Sequence, residues 1–136
     1  MAYEHLITQR TGSVERLTLN RSAVRNAFNE AMLVELTAWA KDTAGDPGVR
    51  AVVLSGAGPV FCAGADATWM AKTVEKTHDE NVADARFAAE MFRSIDELPV
   101  PVIARIQGAA IGGGANRKST RLNSSHPRLS RMPSSA

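Results

Sequence analysis

Two glycine-bearing segments hold the residues best suited to chemistry, FCAGAD at 61–66 and IQGAAIGGG at 106–114. Each lies in a loop that follows a β-branched run, and in parallel sheets ligands gather where the strands' carboxyl ends meet the following helices. Small residues there let the main chain approach a ligand and present N–H groups, and a helix start adds the positive end of its dipole. The ligand is therefore negative, or becomes negative during reaction. A phosphate cradle is the first rival, because GGGANRKS at 112–119 approximates GxxxxGK[ST] with Lys118 and Ser119 in place. It fails at Arg117, which stands where the second glycine is needed and would obstruct the wrap around a β-phosphate. GxGxxG is absent from both loops, so dinucleotide binding has no support. Cys62 lies in the first loop, yet nothing nearby in sequence supplies a base or cation to activate it, and it reads as a small packing residue. His5, His78 and His126 are isolated and make no acid–base pair. One cysteine cannot build a multi-cysteine metal cage, and no metal site is expected.

Strands and helices must alternate to hold these loops. Leu6 to Arg10 and Val14 to Leu19 read as a hairpin around Thr11-Gly12-Ser13, each strand with one wet face. From Ala27 the period becomes helical, with Phe28, Met32, Leu36 and Trp39/Ala40 on one side and Gly45 and Pro47 as the stop. Val49 to Ser55 has the look of a buried parallel strand. A short helical stretch spans Ala67 to Ala71. Thr77 and Glu80 then have the spacing of a capping box, opening a helix whose face is Val82, Ala85, Ala89, Phe92 and Ile95, and Pro99 ends it. Val100 to Ile106 is a second buried-type strand. The order predicts a right-handed α/β arrangement with helices covering a mainly parallel sheet.

Composition bounds the rest. The 136 residues, 44% hydrophobic and 22% charged, suit one soluble domain and exclude disorder throughout. No apolar run approaches the roughly 20 residues that cross a bilayer, and the first residues lack a signal-peptide pattern, so the expected location is cytoplasmic with no membrane partner. The formal charge is +2, but residues 116–136 contain five of the 16 basic residues and none of the 14 acidic ones, leaving −3 on residues 1–115. Rich in serine and free of apolar periodicity, 116–136 is expected to be a disordered basic tail. Its wording, RKSTRLNSSH followed by SRMPSSA, resembles the translated read-through of a sequencing adapter. The domain is accordingly assigned to residues 1–115.

Taken together, FCAGAD, IQGAAIGGG and the segment NRSAVRNAF at 20–28 resemble the enoyl-CoA hydratase/isomerase (crotonase) family over its N-terminal half. The resemblance implies a crotonase-like spiral of β-β-α units, here truncated after about half of the fold. It implies an acyl-CoA substrate whose thioester carbonyl becomes an enolate-like oxyanion held by two backbone N–H groups, those of Ala65 and Gly113. Preorganised donors of this kind are worth on the order of 3 kcal/mol each. By the same resemblance Arg25, Ala27, Ala63, Gly64, Ala65, Asp66, Ala67, Thr68 and Gly113 line the substrate and CoA path, with Arg25 a phosphate contact. Asp66 is also read as the cap of the following helix, and Trp69 and Met70 as acyl-pocket border or plain core. No separate cofactor is implied, because coenzyme A arrives as part of the substrate. Family members assemble into homotrimers or hexamers.

One departure bears on activity. Family hydratases take their glutamates from beyond the glycine triplet; the first would fall at Asn116, and an amide is no general base. The second would lie in a segment this sequence does not contain, so the chain as it stands is expected not to hydrate its substrate. Stretches such as FCAGADATWM and NVADARFAAEMF most resemble methylglutaconyl-CoA hydratases of leucine degradation. The alternative is a general short-chain enoyl-CoA hydratase or isomerase of fatty-acid oxidation. RNA binding, seen in some relatives with a lysine-rich first helix, is opposed by Glu30, Glu35 and Asp42 against one Lys41, so no nucleic-acid partner is expected.

Overall fold

The computed structural model describes residues 3–108. The opening hairpin is present as β1 (Leu6–Thr11) and β2 (Val14–Leu19), antiparallel with Leu6 opposite Leu19. β2 turns Glu15, Leu17 and Leu19 inward, while in β1 only Leu6 is buried. Glu15 is thus a carboxylate on the core face. Its oxygens accept from the Trp39 indole N–H at 3.0 Å and from the Arg10 Nε–H at 3.1 Å, so the burial is compensated.

Helix α1 (Glu30–Ala44) covers this face of the sheet with Met32, Leu33, Leu36, Trp39 and Ala40. It begins three residues later than the periodicity from Ala27 predicts. Asn29 caps it by accepting from the Met32 N–H at 2.9 Å, and Phe28 is drawn out of the helix into a parallel bridge with Ala65. The periodicity saw that Phe28 is apolar and buried, but not that its main chain is needed elsewhere.

β3 (Ala51–Gly56) lies parallel to β2, and β4 (Val102–Ala104) parallel to β3, giving the sheet order β1-β2-β3-β4. The mainly parallel sheet is therefore present. β4 is shorter than Val100 to Ile106, because Pro99 and Pro101 have no N–H to give a ladder. The Pro101 carbonyl still accepts from Val52 at 2.9 Å, and Arg105 donates to the Leu54 carbonyl at 2.8 Å, so the pairing fades at both ends.

Between β3 and β4 come α2 (Ala67–Ala71), a 3-10 turn at Lys72–Glu75, and α3 (His78–Asp96). The capping box is formed: Thr77 Oγ1 accepts from the Glu80 N–H at 3.1 Å, and Glu80 Oε1 from the Thr77 N–H at 2.9 Å. The buried stripe of α3 is rotated from the expected one. Met91 and Ile95 are buried and Ala88 and Phe92 half-buried, whereas Ala85 and Ala89 are exposed. Residues 88, 91, 92 and 95 follow one helical stripe, and its larger side chains set the contact with α1. Phe92 meets Phe28 edge-on, with ring centres 5.8 Å apart at 87°. The assigned boundary at 115 and the tail 116–136 lie outside the described residues. No helix among the described residues is long and apolar enough to cross a membrane.

Candidate active site

The polypeptide entering α1 makes an unusual corner. Arg25 and Asn26 both adopt left-handed backbone conformations, with φ of 56° and 57°. Asparagine tolerates this region better than most residues, but two in succession need outside support. The support is the Asn26 carboxamide, which is fully buried. Its Oδ1 accepts from the Arg21 N–H at 2.7 Å. Its Nδ2 reaches the carbonyls of Ala57 and Val60 at 2.9 Å and of Phe61 at 3.1 Å.

This corner serves as a template for the first glycine-bearing loop. The Arg25 carbonyl accepts from the Ala63 N–H at 3.0 Å, and the Asn26 carbonyl from the Cys62 thiol at 3.3 Å. Phe28 then brackets Ala65: it donates to the Gly64 carbonyl at 2.7 Å and accepts from the Asp66 N–H at 2.7 Å. In a parallel bridge of this kind the bracketed residue's own N–H points away from its partner strand. The Gly64 N–H is also engaged, on Cys62 Sγ at 3.4 Å. Among the described residues nothing accepts from the Ala65 N–H, while those on either side are bound. Cys62 is fully buried and occupied by these two contacts, in keeping with a packing role.

Seven of the expected site residues, Arg25, Ala27, Ala63, Ala65, Asp66, Ala67 and Thr68, line one open pocket of about 460 Å³ with Ala23 and Val24. Its walls are mostly alanine, which keeps the main chain within reach of a ligand. Arg25 is exposed at this pocket, and among the described residues it forms no ion pair. Gly64 is buried behind the pocket and does not line it. Gly113, Asn116 and the glycine triplet lie outside the described residues. Trp69 and Met70 border a second, apolar pocket of about 320 Å³ with Ala85 and Ala88, between α2 and α3; Trp69 also packs on the core.

Asp66 needs a different account from its neighbours. It caps α2 through the Trp69 N–H at 2.9 Å, and Arg21 holds its other oxygen at 3.1 Å. Arg21 also donates to the Ala27 carbonyl at 2.5 Å, so it fastens the corner to the loop. The carboxylate is committed to the fold even though the residue borders the pocket. The Trp69 N–H first, and then Arg21, hold its pKa below the usual aspartate value, against the opposing effect of burial. A group depressed in the folded state contributes stability above its unfolded pKa of about 3.9 and loses it as pH falls through the lower folded value. Asp66→Ala is therefore expected to cost about 1 to 2 kcal/mol at pH 7, the usual range for a lost cap. The difference between wild type and variant begins to narrow as the pH falls below the unfolded value of about 3.9 and goes on narrowing until the pH has passed the lower folded value, where the folded carboxylate takes up its proton. Thermal melts at pH 7 and pH 3 check this; a difference unchanged between them would mean the charge on Asp66 adds nothing.

Three contributors were not singled out from the sequence: Arg21, Asn26 and Gln107. Gln107 opens the second loop. Its carbonyl accepts from the Phe61 N–H at 2.9 Å, and its Nε2 donates to the carbonyls of Gly56 and of Gly58, the latter at 2.9 Å. The two loops are thus joined directly. An arginine before a corner and an asparagine where a turn glycine would be expected were the available signals, but neither names a partner 30 or more residues away.

The match to the family model for enoyl-CoA hydratase/isomerase runs over residues 9–120. A Thermus thermophilus protein assigned as an enoyl-CoA hydratase is 36% identical over 104 residues, 76% of this chain and 41% of that one. The human mitochondrial Delta(3,5)-Delta(2,4)-dienoyl-CoA isomerase is 35% identical over 124 residues, covering 85% of this chain and 38% of its own. Among solved structures, an enoyl-CoA hydratase from Shewanella pealeana superposes with a TM-score of 0.83 at 32% identity, over 86% of this chain and 44% of its own. The chain thus spans about two fifths of the length of the curated relatives it matches. In sequence over most of its length and in its α/β fold, the chain belongs to the enoyl-CoA hydratase/isomerase family.

Proposed function

We propose that this chain carries the thioester-binding part of an acyl-CoA site. The observation that carries the reading is the Ala65 N–H, without an acceptor among the described residues, on a pocket walled by alanines. Such a donor polarises a thioester carbonyl and stabilises the enolate that forms when a nucleophile adds to the conjugated double bond. Gly113 is read as the second donor and Arg25 as a contact for a CoA phosphate. The reaction class is hydration of a 2-enoyl-CoA, with a methylglutaconyl thioester as the preferred substrate in leucine degradation. Double-bond isomerisation or general short-chain hydration is the second reading, favoured by isomerases such as the human protein among the relatives. Water addition also needs a carboxylate, and Asn116 stands at the first family position; the chain is read as binding substrate without turning it over. A cytoplasmic location, a trimeric or hexameric assembly of the complete enzyme and an adapter origin of 116–136 complete this reading. Long-read sequencing past the Ala115 codon tests the last.

The binding test uses butyryl-CoA, a saturated thioester that cannot be hydrated, beside free CoA. Calorimetry is expected to give saturable binding, tighter for the thioester, and crotonyl-CoA is expected to remain unhydrated. Ala65→Pro removes the N–H; one hydrogen bond contributes about 1 kcal/mol, so butyryl-CoA binding weakens roughly fivefold while free CoA is unaffected. Equal affinity for butyryl-CoA and CoA in the wild type, or no binding at all, overturns the reading. Hydration of crotonyl-CoA would overturn the part that concerns inactivity.

A further inference from the structure

We propose that Asn26 and Gln107 are positioning residues that aim the Ala65 N–H, by clamping the chain between β3 and the first glycine-bearing loop. Asn26 Nδ2 holds the carbonyls of Ala57, Val60 and Phe61. Gln107 holds those of Gly56 and Gly58 through Nε2, and accepts from the Phe61 N–H through its own carbonyl. Residues 56–61 are therefore fixed by two carboxamides.

Asn26 also acts downstream. Its Oδ1 bond to the Arg21 N–H closes the left-handed corner, and that corner aims the carbonyls of Arg25 and Asn26 at Ala63 and Cys62. Two residues further on, Phe28 brackets Ala65. One buried side chain thus sets both the segment that enters the loop and the template along which it runs. A donor whose direction is fixed in advance loses nothing to reorganisation when charge develops, whereas a loosely held one does. Asn26 is fully buried, and neither side chain lines the pocket containing Ala65.

This inference rests on the reading of Ala65 as a thioester donor, and the experiment separates the two. The full chain, labelled with ¹⁵N-alanine, gives the Ala65 amide resonance, assigned by its loss in Ala65→Gly. In Asn26→Ser the resonance is expected to move and butyryl-CoA affinity to fall by about threefold, within the roughly fivefold loss expected when the Ala65 N–H itself is removed. Val52→Ala, a core truncation at the far end of β3, serves as the control for stability loss alone and is expected to leave the resonance in place. Gln107→Ala, at a half-buried position, is expected to move the resonance in a chain that still folds, and it carries the test if Asn26→Ser does not fold. An unmoved Ala65 resonance in a folded variant overturns the proposal. A resonance that moves in a chain whose wild type ignores butyryl-CoA supports the positioning role and overturns only the thioester reading.

Discussion

Asn26→Ala is expected to lower the free energy of unfolding by about 3 to 5 kcal/mol, the largest loss from any single side chain near the site. The size follows from how many partners are abandoned. The carboxamide serves one N–H and three carbonyls from Arg21, Ala57, Val60 and Phe61, and the site is too enclosed for water to reach all of them freely. A buried group left without a partner costs about 1 to 3 kcal/mol, far more than a hydrogen bond contributes when made. The left-handed corner adds to the loss, because alanine at φ 57° has no side-chain bond to offset the strain. Thr37→Val provides the contrast. Thr37 Oγ1 donates to the Leu33 carbonyl at 2.8 Å within α1, and that bond can go without stranding a donor, since the hydroxyl leaves with it. The expected cost is under about 1 kcal/mol. Urea titrations of both variants measure the two costs; an Asn26→Ala loss no larger than that of Thr37→Val would mean the corner holds without its carboxamide.

How far the sequence reaches is clear from which residues it placed. The loop residues Ala63, Ala65, Ala67 and Thr68 were reached through the resemblance of FCAGAD to the family's loop, and they do line one pocket with Arg25 and Ala27. The elements followed from periodicity, and their errors share a cause. Phe28 left the helix because its main chain pairs with Ala65, and the α3 stripe turned so that Met91 and Ile95 enter the core cluster. Both are long-range contacts that a local pattern cannot register. The same holds for the residues that were missed: Arg21 pairs with Asp66, Asn26 with residues 57, 60 and 61, and Gln107 with Gly56 and Gly58. Each is a polar side chain whose role is set by backbone atoms of a distant segment, and backbone atoms carry no residue-type signature.

Gly108→Ala tests the joint between the two loops, and a matched glycine isolates the cause of its effect. Gly12 and Gly108 have nearly the same positive φ, 60° and 61°. They differ in space: a Cβ at Gly12 meets nothing within 4 Å, while one at Gly108 would lie 2.2 Å from the Pro59 carbonyl oxygen. Alanine at Gly12 therefore carries only the left-handed penalty of about 1 to 2 kcal/mol. At Gly108 a similar penalty applies, and the main chain must also move by roughly an ångström, because the atoms met are backbone atoms of Pro59 and Val60 and not a flexible side-chain end. The adjacent Gln107 carbonyl is then drawn away from the Phe61 N–H. Losing that bond and straining the turn are expected to bring the total to roughly 3 to 4 kcal/mol. The buried Phe61 amide, bonded to the Gln107 carbonyl, is expected to be protected from hydrogen exchange in the wild type and in Gly12→Ala and to exchange freely in Gly108→Ala. Equal costs for the two substitutions, with Phe61 still protected in both, would show that the second loop yields without disturbing the first and that Gln107 does not tie them together.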